Sequence, residues 1–123
     1  YNIYMENKKE QVRVYRNLHA DCWSVQAKQG KNNGWIVVSH EDSITLVEAK
    51  LTVGAGARDR VRQEGHKNVH AFITGFWTTE NPELTTKVTY NPYKYDSFVL
   101  AETEEPITEA EILHLGSDRK VYI

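Results

Sequence analysis

A chain of 123 residues has the length of one domain, enough to close a single core. Apolar residues make up 40% and charged residues 26%, the balance of an ordinary globular protein, and the formal net charge of −2 argues against a general DNA-coating role. A single cysteine, Cys22, excludes an intrachain disulfide and fits a reducing compartment, and no apolar run approaches the length that spans a bilayer.

The first ten residues read as a flexible lead-in that lacks the apolar stretch of a signal peptide, with residues 1–4 placed upstream of Met5. Residues 11–123 read as a single globular domain. In residues 11–18, Val12 and Val14 share one face while Arg13, Tyr15 and Asn17 take the other, a strand pattern. Residues 21–28 repeat it with Trp23, Val25 and Ala27 inward; Cys22, in this strand-like run beside Trp23, is expected to be a buried, inert thiol. Gly30-Lys31-Asn32-Asn33-Gly34 then reads as a hairpin turn, because Asn-Gly supplies positive φ values, and residues 35–39 return.

Residues 44–53 form the longest strand candidate, with Val47, Ala49, Leu51 and Val53 on its apolar face. Gly54-Ala55-Gly56 ends it, residues 57–64 read as two helical turns, and Gly65 stands where a helix commonly stops. Period two resumes over residues 66–77, where Asn68, His70, Phe72 and Thr74 share a face. Further strands are expected over residues 84–90 and 97–101. A closing hairpin is expected over 109–115 and 119–123, around Gly116-Ser117-Asp118. The fold class is mainly β (α+β): a small barrel or a folded antiparallel sheet of about eight or nine short strands with one short helix near residues 57–64. Strand edges in so small a sheet favour a homodimer or higher oligomer.

Three groupings carry candidate chemistry. From residue 58 to 67 the chain holds four cations (Arg58, Arg60, Arg62, Lys67) against two acids (Asp59, Glu64), so it is locally basic. Free N–H groups at the helix start, glycines that admit a close approach, and these arginines together suit an anion such as phosphate. The grouping lacks the Lys-Ser/Thr of a P-loop and the third glycine of a dinucleotide fingerprint. The second grouping is His66-Lys67-Asn68-Val69-His70. On a strand, His66, Asn68 and His70 would stand in a row about 6–7 Å apart, able to read a ligand's edge, with Phe72 as a stacking surface. No metal is expected, since the two histidines lack a third ligand other than His19, His40 or His114 by elimination. The third grouping is the aromatics. The tryptophans are the best core candidates, whereas the loop of Tyr90, Asn91 and Tyr93 with Lys94 puts rings beside a cation, as nucleotide bases require.

Val14-Tyr15-Arg16-Asn17-Leu18-His19, Cys22-Trp23-Ser24-Val25 and above all Glu64-Gly65-His66-Lys67-Asn68-Val69-His70-Ala71-Phe72 resemble small phage- and prophage-encoded proteins without an assigned activity. The resemblance extends to Tyr90-Asn91-Pro92-Tyr93 and Ser97-Phe98, and so covers most of the chain. It implies a viral setting, in which proteins of this size often act in host takeover or counter-defence, including capture of cyclic-nucleotide immune signals.

The expectation is therefore a non-enzymatic phage protein in the cytoplasm of an infected bacterium. It would sequester a phosphate-bearing, cyclic nucleotide with Arg58, Arg60, Arg62, Lys67, Asn68, His70, Phe72, Tyr90, Asn91 and Tyr93. No cofactor, membrane contact or long double-stranded nucleic acid is expected. The alternatives are a nuclease or phosphodiesterase using His70 with Lys67 or Glu64, and a protein inhibitor of a host defence complex, of anti-CRISPR or anti-restriction type.

Overall fold

The computed structural model describes residues 11–29 and 34–123. The lead-in and residues 30–33 of the expected Asn-Gly turn lie outside the described residues. Nine strands form one antiparallel sheet: β1 (Gln11–Asn17), β2 (Cys22–Gln29), β3 (Gly34–Glu41), β4 (Ile44–Val53), β5 (Ala71–Thr78), β6 (Lys87–Thr89), β7 (Val99–Leu100), β8 (Glu109–Leu115) and β9 (Val121–Tyr122). The helix α1 (Ala55–Glu64) sits between β4 and β5. The strand order is β3-β2-β1-β5-β4-β8-β9-β6-β7. The sheet is folded and not closed into a barrel, because β3 and β7 remain its two edges.

Alternation sets the inner face. Val12 and Val14 of β1, Trp23 and Val25 of β2, Ile73 of β5, and Leu113 and Leu115 of β8 meet in one core. Val88, Phe98 and Val121, from the far end of the strand order, belong to the same core, so the sheet curls over itself. Trp23 fastens the curl: its indole Nε1 donates to the Gly116 carbonyl, 2.8 Å away in the turn between β8 and β9. Among the three tryptophans the expectation of core burial holds for Trp23 alone. Trp35 is half-buried and Trp77 is 36% exposed.

Strand β4 departs from simple alternation. Glu48 has φ 51°, and Val47 faces Phe76 while Lys50 faces Thr74, so β4 carries one residue more than β5 between those pairs. This β-bulge reverses which side chains point inward. Ile44 and Leu46 enter the core before it, Ala49 and Leu51 after it, and Val47 stands outside the central cluster. The partner across the bulge is Gly75. A Cβ there would lie 3.0 Å from the Val47 carbonyl oxygen and 3.1 Å from the Leu46 Cβ.

Other expected boundaries shift for reasons of pairing. The helix begins two residues earlier than its sequence suggests. Gly65 closes it in the left-handed conformation (φ 75°), donating to the Val61 carbonyl at 2.8 Å. Residues 66–70 are not strand. β5 can begin only where Ala71 meets Val53, and the Gly54 N–H donating to the His70 carbonyl at 2.7 Å seals the helical insertion there. Strands β6, β7 and β9 shrink to two or three residues, since they pair with one another and with the end of β8, apart from a single bridge from Val99 to Pro106. Edge strand β3 exposes Ile36, Val37 and Val38. Val38 has no partner in β2, a bulge of the kind that blunts edge pairing.

Gly75→Ala is expected to lower unfolding stability by about 1–3 kcal/mol, because the new methyl meets backbone that the bulge holds in place. Urea denaturation checks it; an unchanged midpoint would mean that the bulge yields.

Candidate functional site

The locally basic helix turns two of its three arginines, Arg58 and Arg62, onto the loop over residues 91–96. Arg58, only 14% exposed, donates from Nη1 to the Asp96 carbonyl at 3.1 Å and from Nη2 to Asp59 Oδ1 at 3.1 Å. Arg62 donates from Nη2 to the Tyr95 carbonyl at 3.0 Å and to Asp96 Oδ1 at 2.9 Å, and from Nε to the Pro92 carbonyl. The loop is preorganised by Asn91. Its side-chain oxygen accepts from the Tyr93 N–H at 2.9 Å, and its carbonyl accepts from the N–H groups of Lys94 and Tyr95, an Asx turn. Tyr93 is 62% exposed and its hydroxyl reaches the Val61 carbonyl at 3.4 Å. Arg58, Arg62, Asn91 and Tyr93 are thus brought together, with protein acceptors on the two guanidinium groups.

His70 and Tyr90 form the next layer inward. His70 is buried; its Nδ1 lies 2.8 Å from the Asn68 carbonyl and its Nε2 lies 2.8 Å from the Tyr90 hydroxyl. A carbonyl only accepts, so Nδ1 carries a proton and donates to Asn68, while Nε2 is partnered by the Tyr90 hydroxyl. Both ring nitrogens are then occupied. Burial raises the pKa of Tyr90, which keeps its hydroxyl protonated as a donor. The Tyr90 ring packs on Phe98, with centroids 5.3 Å apart. The expected row of His66, Asn68 and His70 is not formed, because this segment is not a strand: His66 and Asn68 are exposed while His70 turns inward. Arg60 and Lys67 are exposed, on α1 and on the connection after it. Phe72 lies elsewhere, on the outer sheet face beside Tyr15 and Arg13.

Where the folded sheet fails to close there is a cleft of about 380 Å³, lined by residues of β1, β2, β5, β6, β8 and β9. Val14, Trp23, Ile73, Phe98, Leu115 and Val121 give it an apolar floor, and Tyr90 is one of its walls. Its cations are Arg16, Lys87, Arg119 and Lys120. Arg16 donates to the Cys22 carbonyl at 2.9 Å and also binds Asp21. Arg119 reaches Asp42 Oδ1 at 2.8 Å and Asp21 Oδ1 at 3.3 Å, so Asp21 bridges the two arginines. Lys87 and Lys120 have no hydrogen-bond or ion-pair partner for their side chains among the described residues. Sequence reading missed these two lysines, since only the sheet order brings β6 and β9 to the same opening. Cys22 is half-buried rather than buried, its Sγ 3.6 Å from His40 Nδ1. Among the described residues no cluster of His, Cys, Asp and Glu is arranged to hold a metal, and no helix is long and apolar enough to cross a membrane.

The geometry defines a small antiparallel β protein whose one folded sheet opens at a cleft edged with cations. Residues 5–123 match the family model described as Mycobacterium phage L5 gene 82 protein. The chain is 37% identical over 120 residues to the gene 82 protein of Mycobacterium phage L5, which covers 91% of this chain and 94% of that protein. It belongs to this bacteriophage family. No solved structure matches it.

Ion pairs tie the loops of this region, and their pKa shifts share a sign. The hydrogen bond from Arg62, then the charge of Arg58, holds Asp96 below its usual value; bonds from Arg16 and then Arg119 do so for Asp21. Folded-state values lower than unfolded ones contribute stability that is complete above about pH 5 and lost as pH falls through the depressed values. The thermal midpoint is therefore expected to drop on acidification from about pH 5 to pH 2, and Asp96→Asn to show a smaller drop from a lower starting midpoint. A midpoint that ignores acid in the parent would contradict these assignments.

Proposed function

We propose that this phage protein is a non-enzymatic binder that captures a small phosphate-bearing nucleotide in the open cleft, withdrawing it from signalling in the infected cell. The observation that supports this reading is the pairing of an apolar floor with two lysines, Lys87 and Lys120, at one opening. Neither is held by a hydrogen bond or ion pair among the described residues, although Asp118 lies in the field of Lys120. An apolar, ring-lined floor suits a base, and lysine ammonium groups not tied down by a protein hydrogen bond or ion pair suit phosphate. A volume of about 380 Å³ is at the low end of small-molecule sites, which favours one or two nucleotide units over a polymer. The helix arginines serve the same end indirectly, since Arg58 and Arg62 fix the loop that follows Tyr90. A binding role agrees with His70, whose two ring nitrogens already have partners and which is not poised as a free base.

A thermal-shift panel of cyclic di- and trinucleotides and mononucleotides, followed by calorimetry on the best ligand, tests the reading. The double variant Lys87→Ala/Lys120→Ala is expected to bind at least about tenfold more weakly at an unchanged melting temperature. The ligand is expected to be recovered unaltered after heat denaturation. Equal affinity in the variant, or turnover of the nucleotide, would overturn it.

A further inference from the structure

The opposite face of the sheet carries a second arrangement of rings and charge. On the outer side of β1, β2, β3 and β5, five side chains stack into a continuous ladder. The Tyr15 ring meets Phe72 edge-on, with centroids 6.2 Å apart and planes at 77°. The Arg13 guanidinium lies 4.2 Å from the Phe72 centroid and 4.9 Å from that of Trp35. Lys28 Nζ lies 5.2 Å from the same Trp35 ring. Gln26 holds the middle, its Oε1 accepting from Arg13 Nε at 2.9 Å. Tyr15, Phe72, Arg13 and Trp35 are all half-buried, so each keeps part of its surface in water. The helix does not cover them; it is tied to the loop over residues 91–96.

Charge is segregated on these strands. β1, β2 and β5 contain no aspartate or glutamate, and β3 has only Glu41 at its end, in a chain whose net charge is −2. Arg13, Arg16 and Lys28 are the cations of β1 and β2. A face with interleaved rings and cations, and no carboxylate on β1, β2 or β5, is complementary to a polyanion whose bases can be splayed out and stacked. It does not fit the duplex major groove, which admits a helix or a two-stranded ribbon.

We infer that this outer face, centred on Trp35, Arg13 and Phe72, binds single-stranded DNA by stacking bases on the ladder and setting phosphates on Arg13 and Lys28. DNA is favoured over RNA because Arg13, Gln26, Asn17, Ser24 and His40 of the face are already engaged with one another. Gln26 accepts from Arg13, Asn17 Nδ2 donates to Ser24 Oγ at 3.0 Å, and Ser24 Oγ lies 2.9 Å from His40 Nδ1. Few partners remain for a ribose 2′-hydroxyl. Arg13, Lys28, Trp35 and Phe72 lie outside the lining of the cleft, which shares Tyr15 with the ladder, and neither proposal depends on the other.

The test is fluorescence anisotropy of a labelled deoxythymidine oligomer titrated with the full chain at several salt concentrations, alongside a uridine oligomer of equal length. Binding with quenching of tryptophan emission is expected. Trp35→Ala is expected to weaken it by at least about tenfold. Lys28→Ala, a change at an exposed side chain that spares the fold, is expected to flatten the log–log salt dependence by about 0.7. Lys87→Ala/Lys120→Ala is expected to leave DNA binding unchanged, which separates this face from the nucleotide cleft. No anisotropy change with folded parent protein, an unaltered salt slope in Lys28→Ala, or uridine bound as tightly as deoxythymidine would overturn the proposal.

Discussion

The hydrogen bond from the Trp23 indole to the Gly116 carbonyl is the contact on which the shape of this protein depends. It joins the second strand of the sheet order to the turn between the sixth and seventh, so it converts an open sheet into a folded one. A buried indole N–H left without an acceptor would cost about 1–3 kcal/mol, so the ring and the turn constrain each other. The clasp brings the inner faces of the strands together without pairing their edges. A dry core at one level and an open cleft at another follow from that single geometry, and the core residues Val14, Ile73, Leu115 and Val121 also line the cleft.

Leaving the sheet unclosed exposes two surfaces of different character. The inner cleft is narrow and apolar with lysines at its opening, while the outer face is broad and carries a ladder of rings and cations. A closed barrel of this size would fill its interior with side chains. The β4 bulge at Glu48, accommodated by Gly75, and the clasp at Trp23 are two local features that curl the sheet, while β3 and β7 remain its edges. The arginines of α1 have a related task. They fix the loop over residues 91–96, and with it the approach of Tyr90 to His70 and to the cleft.

Much of the sheet was legible in local pattern, because the sequences of β1, β2 and β8 alternate and short-range periodicity is a local property. The limits of Ile44–Val53 and Glu109–Leu115 follow directly. The bulge at Glu48 was not legible: it depends on what Gly75 of a distant strand permits, and it exchanges Val47 for Leu46 in the core. The period over residues 66–70 misled because a helix must return to its sheet through some connection, and that connection can mimic alternation. For the site, the basic character of α1 was visible, but its partners Asp96 and the Pro92 and Tyr95 carbonyls were not. Lys87 and Lys120 carried no local signal, because only the order β9-β6 at the end of the sheet sets them at one opening.

The clasp is tested most directly by hydrogen exchange of the three tryptophan indole N–H protons, followed by nitrogen-edited NMR after transfer into heavy water. Trp35 and Trp77 serve as internal references, since neither has an acceptor for its indole N–H among the described residues. The folded, clasped sheet predicts that the Trp23 signal persists long after those of Trp35 and Trp77 have vanished. Loss of all three at similar rates would contradict it.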